Sequence, residues 1–382
     1  MVSASHGPRG PGVRRSIAVI IPVRNAAATL EQSLGTLQRQ TFPDFRVVLV
    51  DDGSTDETPQ LLERLTRADR RFDLLRLSPG GDIARALEAG TAHLEEPLLA
   101  RFDADDLAHP ERFARQVDFL TRHPEIGLVA TGVERFTTDA EGEALLRGEL
   151  ISPATTDGWR RYADWLDTTL TPAEIARDLW IESPLPHPSV MMRTSALREV
   201  GGYRACPWPE DYDLWLRMKR AGVKMAKLPE RLHFWRDGVT RASRTQPRYA
   251  TEAFLRCRVH HLLVALDGRT VVVWGAGRDG RRFARALLGG GGTIVAFLDI
   301  DPRKIGRRAY DRPILAAEEF LASQTVPPGV PPGEGELHPV EDLARDRPIV
   351  VAAVGTAGAR ELIRSRLRDS GWVEGKDFIS VA

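Results

Sequence analysis

Cysteine is almost absent from this chain: Cys206 and Cys257 are the two in 382 residues. That leaves no disulfide framework and no four-cysteine zinc site, and it favours a reducing compartment. Lysine is nearly as scarce, with 5 among the 53 basic residues and therefore 48 arginines, a skew that suits phosphate binding and follows equally from coding bias. The 53 acidic side chains cancel the basic ones to a net charge of zero. A global positive field for holding nucleic acid is thereby excluded. Long apolar runs are missing too. Ile17 to Val23 falls well short of the ~20 residues that cross a bilayer, and it reads as a strand. Residues 1–15 are rich in Gly, Pro and Arg without an apolar segment, so they read as a disordered arm and not a signal peptide. The expectation is a soluble, cytoplasmic protein with no nucleic-acid partner, touching at most the inner face of a membrane. Nothing in the sequence sets its oligomeric state.

The chain has ample material for a core, with a 42% hydrophobic and 28% charged composition. A prior of ~150 residues per domain suggests two or three. From Ile17 onward, short β-branched runs alternate with longer amphipathic ones, the signature of an α/β fold. Strands are predicted at Ile17–Val23, Phe45–Val50, Leu74–Leu77 and Pro97–Phe102. Helices are predicted through Leu30, Leu34 and Leu37, over Glu57–Ala68 and over Ile83–Leu94. Between Thr137 and Ile181 the periodicity weakens and Trp159, Tyr162, Trp165 and Trp180 appear, consistent with helices over a cleft. The pattern returns at Pro184–Arg193 and in a helix over Tyr212–Ala221. A second α/β block opens at Thr270, and Thr325–Glu336, rich in Pro and Gly, reads as a surface loop. The expected layout is an arm over 1–15, a first domain over 16–248, a connecting helix over 249–268 and a smaller domain over 269–382.

Three acidic clusters carry the strongest chemical signal: Asp51-Asp52, Asp103-Ala104-Asp105-Asp106 and Glu210-Asp211. The first two follow predicted strands, and open α/β sheets bind ligands at the carboxyl ends of their strands. Adjacent carboxylates repel one another, so several at neighbouring strand ends raise the free energy unless a cation neutralises them. Hard oxygen ligands suit Mg²⁺ or Mn²⁺ gripping a diphosphate. Turn chemistry alone explains Asp, Gly and Ser in one such loop; three clusters in one sheet order are harder to explain that way.

In order and spacing, Ile20-Ile-Pro-Val-Arg-Asn25, Val50-Asp-Asp-Gly-Ser-Thr-Asp56, Phe102-Asp-Ala-Asp-Asp106 with Pro110-Glu-Arg112, His187-Pro-Ser-Val190 with Gly201-Gly-Tyr203, and Trp208-Pro-Glu-Asp-Tyr-Asp-Leu-Trp215 form a specific set over about residues 16 to 245. This set resembles the family 2 glycosyltransferases of GT-A fold, whose sheet is mixed, mostly parallel and flanked by helices. The resemblance implies that Pro22 and Asn25 shape the loop under a nucleotide. It implies that Asp51 or Asp52 bonds the base or ribose of a nucleotide-sugar donor, and that Asp103, Ala104 and Asp105 form the DxD segment. Asp103 and Asp105 would hold Mn²⁺ or Mg²⁺, with Asp105 the preferred direct ligand. Asp211 would be the general base on an acceptor hydroxyl of a glycan or lipid-linked sugar, giving inversion and a hexosyltransferase-type reaction in cell-surface glycan or polysaccharide synthesis. Glu210 would orient Asp211 or the acceptor. Trp208 is a candidate sugar platform, Trp215 reads as core, and His187 reads as a satisfied structural histidine with an acceptor role as the alternative. Family members commonly carry a His in the segment corresponding to Arg236–Ser243. None stands there, which leaves the third metal ligand open and Arg236 or Arg241 as phosphate contacts.

The second block places Gly275-x-Gly277-x-x-Gly280 between a strand and a helix, with Asp299 further on. That context matches a dinucleotide fingerprint of a Rossmann-like domain, in which glycines admit a pyrophosphate and the acid meets a ribose. A nucleotide or NAD(P) site and a purely structural turn both account for it. Two rivals to the transferase follow: an NAD(P)-dependent oxidoreductase centred on Gly275–Asp299, for which no acid/base pair is found, and a catalytically silent glycan-binding protein.

Overall fold

The computed structural model describes residues 16–92, 94–151, 156–238, 241–323, 347–356 and 358–382. The arm over 1–15 and the loop over 325–336 lie outside them. The described chain divides into two units, one of residues 16–176 and 183–250, the other of residues 177–182 and 251–382.

The first unit is built on an eight-stranded sheet. Its strands are β1 (Ile17–Val23), β2 (Phe45–Asp51), β3 (Phe72–Arg76), β4 (Leu98–Arg101), β5 (Leu107–Ala108), β6 (Ile126–Phe136), β7 (Met191–Arg193) and β8 (Lys224–Arg236), in the order β3-β2-β1-β4-β7-β6-β8-β5. β1 to β4 are mutually parallel, β7 runs antiparallel to β4 and β6, and β5 pairs antiparallel with β8. Continuous burial of Ile17 to Ile21 and of Val47 to Val50 is what a parallel strand covered on both faces requires. The helix Ile83–Thr91 lies close on β1 and β2, and a Cβ on Gly90 would stand 2.8 Å from Ile20 and 2.9 Å from Val50. Glycine here is a packing requirement.

β3 begins two residues before the predicted run. The long strands β6 and β8 had no counterpart in the sequence reading. Pro229, Glu230 and Arg231 interrupt β8 with a register shift against β6, and their exposure removes the apolar pattern that would mark a strand.

The second unit carries β9 (Val271–Trp274), β10 (Ile294–Asp299), β11 (Arg308–Ala309), β12 (Arg312–Ala316), β13 (Ile349–Ala352) and β14 (Phe378–Ser380) in the order β11-β12-β10-β9-β13-β14. All pairs are parallel except β11 with β12. Its core joins Val272, Trp274, Leu298, Phe320, Val350, Leu367 and Phe378. The helix Thr251–Leu266 belongs to this unit, with Val259 and Leu263 over Gly290 and Gly292. Residues 177–182 join it through Asp178, which pairs with the buried Arg364 at 2.6 Å.

Candidate active site

β2 and β4 flank β1, so the acidic loops that follow them emerge side by side at the carboxyl edge of the sheet. Side chains from β1 and its helix fix both loops. Asn25, in the left-handed region at φ 49°, accepts the Thr55 N–H at 2.8 Å through its side chain, and its own N–H donates to Ser54 Oγ at 3.0 Å. Asp51 is buried and accepts the Ser54 N–H at 2.9 Å. Pro22 lies in β1 opposite Val50. Thr29 and Ser33 donate their hydroxyls to the carbonyls of Ala104 and Asp103, both at 3.2 Å. Asp52 is also buried, and among the described residues nothing hydrogen-bonds its Oδ1, which lies 3.6 Å from Arg85.

Asp103, Asp105 and Asp106 bring one carboxylate oxygen each within 4.8 Å of one another. They are not equivalent. Asp106 is fully buried and spends both oxygens, Oδ2 on His233 Nε2 at 2.8 Å and Oδ1 on the Arg236 N–H at 2.9 Å. Asp103 is paired with Arg101, whose side chain is buried. Among the described residues no side chain bonds the Asp105 carboxylate. Burial and the neighbouring carboxylates push Asp105 up to about 7, and burial with Asp103 does the same to Asp106. Asp103 stays below the usual range because Arg101 and Arg241 outweigh its burial. Carboxylates strained by mutual repulsion, one without a partner, suit a hard divalent cation.

The expected histidine of the 236–243 segment has a near counterpart in His233, inside β8. Both of its ring nitrogens are committed. Arg112 Nη1 donates to Nδ1 at 2.9 Å, so Nε2 carries the proton given to Asp106, and burial together with the Arg112 charge keeps the ring neutral. Arg236, offered from the sequence as a phosphate contact, is instead consumed in the scaffold: its guanidinium donates to the Asp105 carbonyl at 2.8 Å, to Asp139 and to Gln32. Arg241 is the arginine whose charge reaches Asp103, Asp105 and Asp106.

Glu210 and Asp211 open the helix Glu210–Arg220, placing both in its first turn, where the helix dipole favours negative charge. Glu210 is buried. It accepts the Tyr249 hydroxyl at 2.8 Å and faces His187 Nδ1 at 3.6 Å, while His187 Nε2 meets the Tyr203 hydroxyl at 2.8 Å. Burial raises Glu210, but these contacts more than offset it and hold it ionised. Burial and that adjacent charge push Asp211 up to about 8. His187 is a buried group whose two ring nitrogens face Tyr203 and Glu210, with burial and the charge of Arg101 lowering its pKa. Trp208 is half-exposed, its indole N–H tied to Asp213 at 3.2 Å. Trp215 is completely buried in the core.

Sequence reasoning passed over Arg101, His233 and Tyr249, and gave Tyr203 no role beyond its place in the Gly201-Gly-Tyr203 segment. Arg101 pairs with Asp103, and its charge also reaches Glu210 and Asp211. A charged residue inside the apolar strand Leu98–Arg101 was the available signal.

In the second unit, Gly275 takes φ 119° and Gly277 caps the helix Arg278–Gly289. The Asp299 carboxylate is committed locally. It accepts the N–H groups of Ala276, Ile300 and Asp301 at 2.9 to 3.0 Å and pairs with Lys304 at 3.0 Å.

Residues 18–201 match the family model described as glycosyl transferase family 2. The first unit is a family 2 glycosyltransferase domain. The glycosyltransferase is 29% identical over 225 residues to the putative glycosyltransferase EpsE of Bacillus subtilis, covering 58% of this chain and 73% of that one. It is 27% identical to the amylovoran biosynthesis glycosyltransferase AmsE of Erwinia amylovora, covering 58% and 76%. The crystal structure of S. aureus TarS 1–349 in complex with UDP-GlcNAc superposes with a TM-score of 0.50 at 16% identity, over 71% of this chain and 70% of that one, a likeness of fold. No helix among the described residues is long and apolar enough to cross a membrane.

Proposed function

We propose that this glycosyltransferase moves a sugar from a nucleotide-sugar donor to a hydroxyl of a glycan or lipid-linked acceptor, with inversion and with the help of a divalent cation. The observation that carries the reading is that the buried Arg101 links two acidic groups: it pairs with Asp103, beside Asp105, and its charge reaches Glu210 and Asp211 at the head of their helix. Asp105 and Asp103 would hold Mn²⁺ or Mg²⁺, which when bound supplies positive charge for the departing nucleoside diphosphate. Asp51 and Asp52, at the head of the loop held by Asn25, would bond the base or ribose of the donor. A sugar hydroxyl is a weak nucleophile, and a base with pKa near the working pH contributes ~10²–10⁴-fold. Asp211 takes that proton, and ionised Glu210 beside it raises its basicity. A role in glycan polymer synthesis agrees with the biosynthetic activity named for the Erwinia relative. The oxidoreductase reading is not favoured, since Asp299 is occupied by backbone and Lys304.

The test is release of nucleoside diphosphate from UDP-, GDP- and dTDP-sugars with and without Mn²⁺, together with the anomeric configuration of the product by NMR. Metal-dependent release that disappears in Asp105→Asn, with an inverted product, supports the proposal. Release indifferent to both metal and Asp105 overturns it.

A further inference from the structure

Trp159, Tyr162 and Trp165 stand three residues apart on the helix Asp157–Thr168, about 4.5 Å apart along its axis. Their rings follow one another at 5.8 Å from Trp159 to Tyr162 and 5.8 Å from Tyr162 to Trp165. The row continues at its other end to Trp235 in β8, 5.7 Å from Trp159. All four rings keep part of their surface in solvent. By contrast, Trp215 and Trp372 are buried in the cores, and the same helix is anchored by Leu166 at 2% exposure. Anchoring therefore does not require the aromatic row, and a contiguous half-exposed aromatic surface marks a binding site.

Two features tie the row to the catalytic loop. Trp235 sits between His233, which bonds Asp106, and Arg236, which bonds the Asp105 carbonyl. The Arg241 guanidinium lies 4.3 Å over the Trp235 ring, and its charge reaches the three aspartates. The Trp235 indole N–H is turned inward, buried and without an acceptor among the described residues, so what Trp235 offers outward is ring surface. The Tyr162 hydroxyl donates to the Ser183 carbonyl at 3.2 Å, which fixes its ring in the row, and rings in series match a chain of sugars, whose apolar faces stack on aromatics.

We infer that the row Trp235–Trp159–Tyr162–Trp165 is an acceptor track that holds several consecutive sugar units of a glycan leading away from the transfer site. The inference rests on the proposed transfer to a glycan and specifies that the acceptor is an oligosaccharide and not a single sugar. Calorimetry on the full chain with UDP and Mn²⁺ would compare cellotetraose, chitotetraose, mannotetraose and maltotetraose with their monosaccharides. At least one tetrasaccharide should bind on the order of tenfold more tightly than its monosaccharide, the effect of one or two added ring contacts. That advantage should vanish in Trp165→Ala and in Trp159→Ala and persist in Trp165→Phe, which keeps an aromatic face. Equal affinity for long and short sugars across the panel, no binding by any tetrasaccharide, or an advantage that survives both alanine variants overturns the track. Nucleoside diphosphate release by the unaltered protein is read in parallel. Its loss of metal dependence would sink the transferase mechanism itself, whereas intact release with no length preference sinks the track alone.

Discussion

Asp211 keeps its proton at neutral pH in the free enzyme because burial and the ionised Glu210 both oppose its charge. kcat/KM at saturating Mn²⁺ should therefore rise with pH and reach half its plateau near 8, since this quantity reports the free enzyme's groups. Glu210→Gln removes the neighbouring charge, so the midpoint should move to lower pH; an unmoved midpoint would show that the titrating base is another group. The same shift has a sign for stability. A carboxyl whose folded pKa is raised stays neutral in the folded state while the unfolded chain ionises, so stability is lost as pH rises from about 4 to about 8. Asp211→Asn should melt with the parent at pH 4 and above it at pH 8, while lowering kcat by at least ~10²-fold with donor binding retained. Asp105→Asn should abolish Mn²⁺-dependent UDP binding in calorimetry without unfolding the protein. These acidic groups were legible in the sequence because like charges crowded at strand ends demand an explanation on chemical grounds. Their partners were not. His233 meets Asp106 across 127 residues of chain, a proximity that only the order of strands creates, and Arg101 announces itself merely as an odd charge in an apolar run.

Arg112 shows how a helix can hold a site together without touching a substrate. From the first turn of Arg112–Arg122 it donates to the Arg101 carbonyl at 2.9 Å, the Pro188 carbonyl at 2.8 Å, His233 Nδ1 and Gln116. That joins the end of β4, the turn at His187 and β8, which explains a Pro110-Glu-Arg112 sequence following the acidic loop. Arg112→Ala leaves several buried acceptors unsatisfied at ~1–3 kcal/mol each. It should cost at least ~3 kcal/mol in urea unfolding; a loss below ~1 kcal/mol would mean the hub is dispensable. The glycine turn of the second unit separates two roles that the sequence presents as one motif. A Cβ on Gly280 would lie 1.8 Å from the Gly275 carbonyl oxygen, whereas at Gly277 the nearest atom is Lys304 Nζ at 4.0 Å. Gly280→Ala should therefore destabilise by ~1–3 kcal/mol, as overpacking does, and Gly277→Ala should be close to neutral in thermal melts. β1, β2, β4 and their helices were readable because parallel strands buried on both faces are uninterrupted apolar runs. β6 and β8 were not, because their apolar runs are broken, in β6 by Gly127, Thr131 and Gly132 and in β8 by the exposed Pro229, Glu230 and Arg231, where the register between them shifts.

The two units differ in how their chain is arranged. The first is interrupted by residues 177–182, which contribute Asp178 to the second. There Arg364, 2% exposed, also meets Glu361 and Glu374 at 2.7 and 2.8 Å, so losing Asp178 leaves a buried arginine still paired. The helix Thr251–Leu266 is a larger matter. It buries Val259, Leu262 and Leu266, and a fully buried side chain of that kind is worth ~1.5–3 kcal/mol, against a total stability of ~5–15 kcal/mol for a domain. A fragment of residues 251–382 should therefore melt cooperatively, somewhat below its transition in the full chain. A fragment of residues 267–382, which keeps every strand of the sheet but loses this helix and uncovers Gly290 and Gly292, should melt without a cooperative transition or at least ~10 °C lower. Circular dichroism melts of the two fragments decide the matter. Indistinguishable transitions would mean that the sheet and its other helices close the core unaided, and that the helix is only a connector between the units.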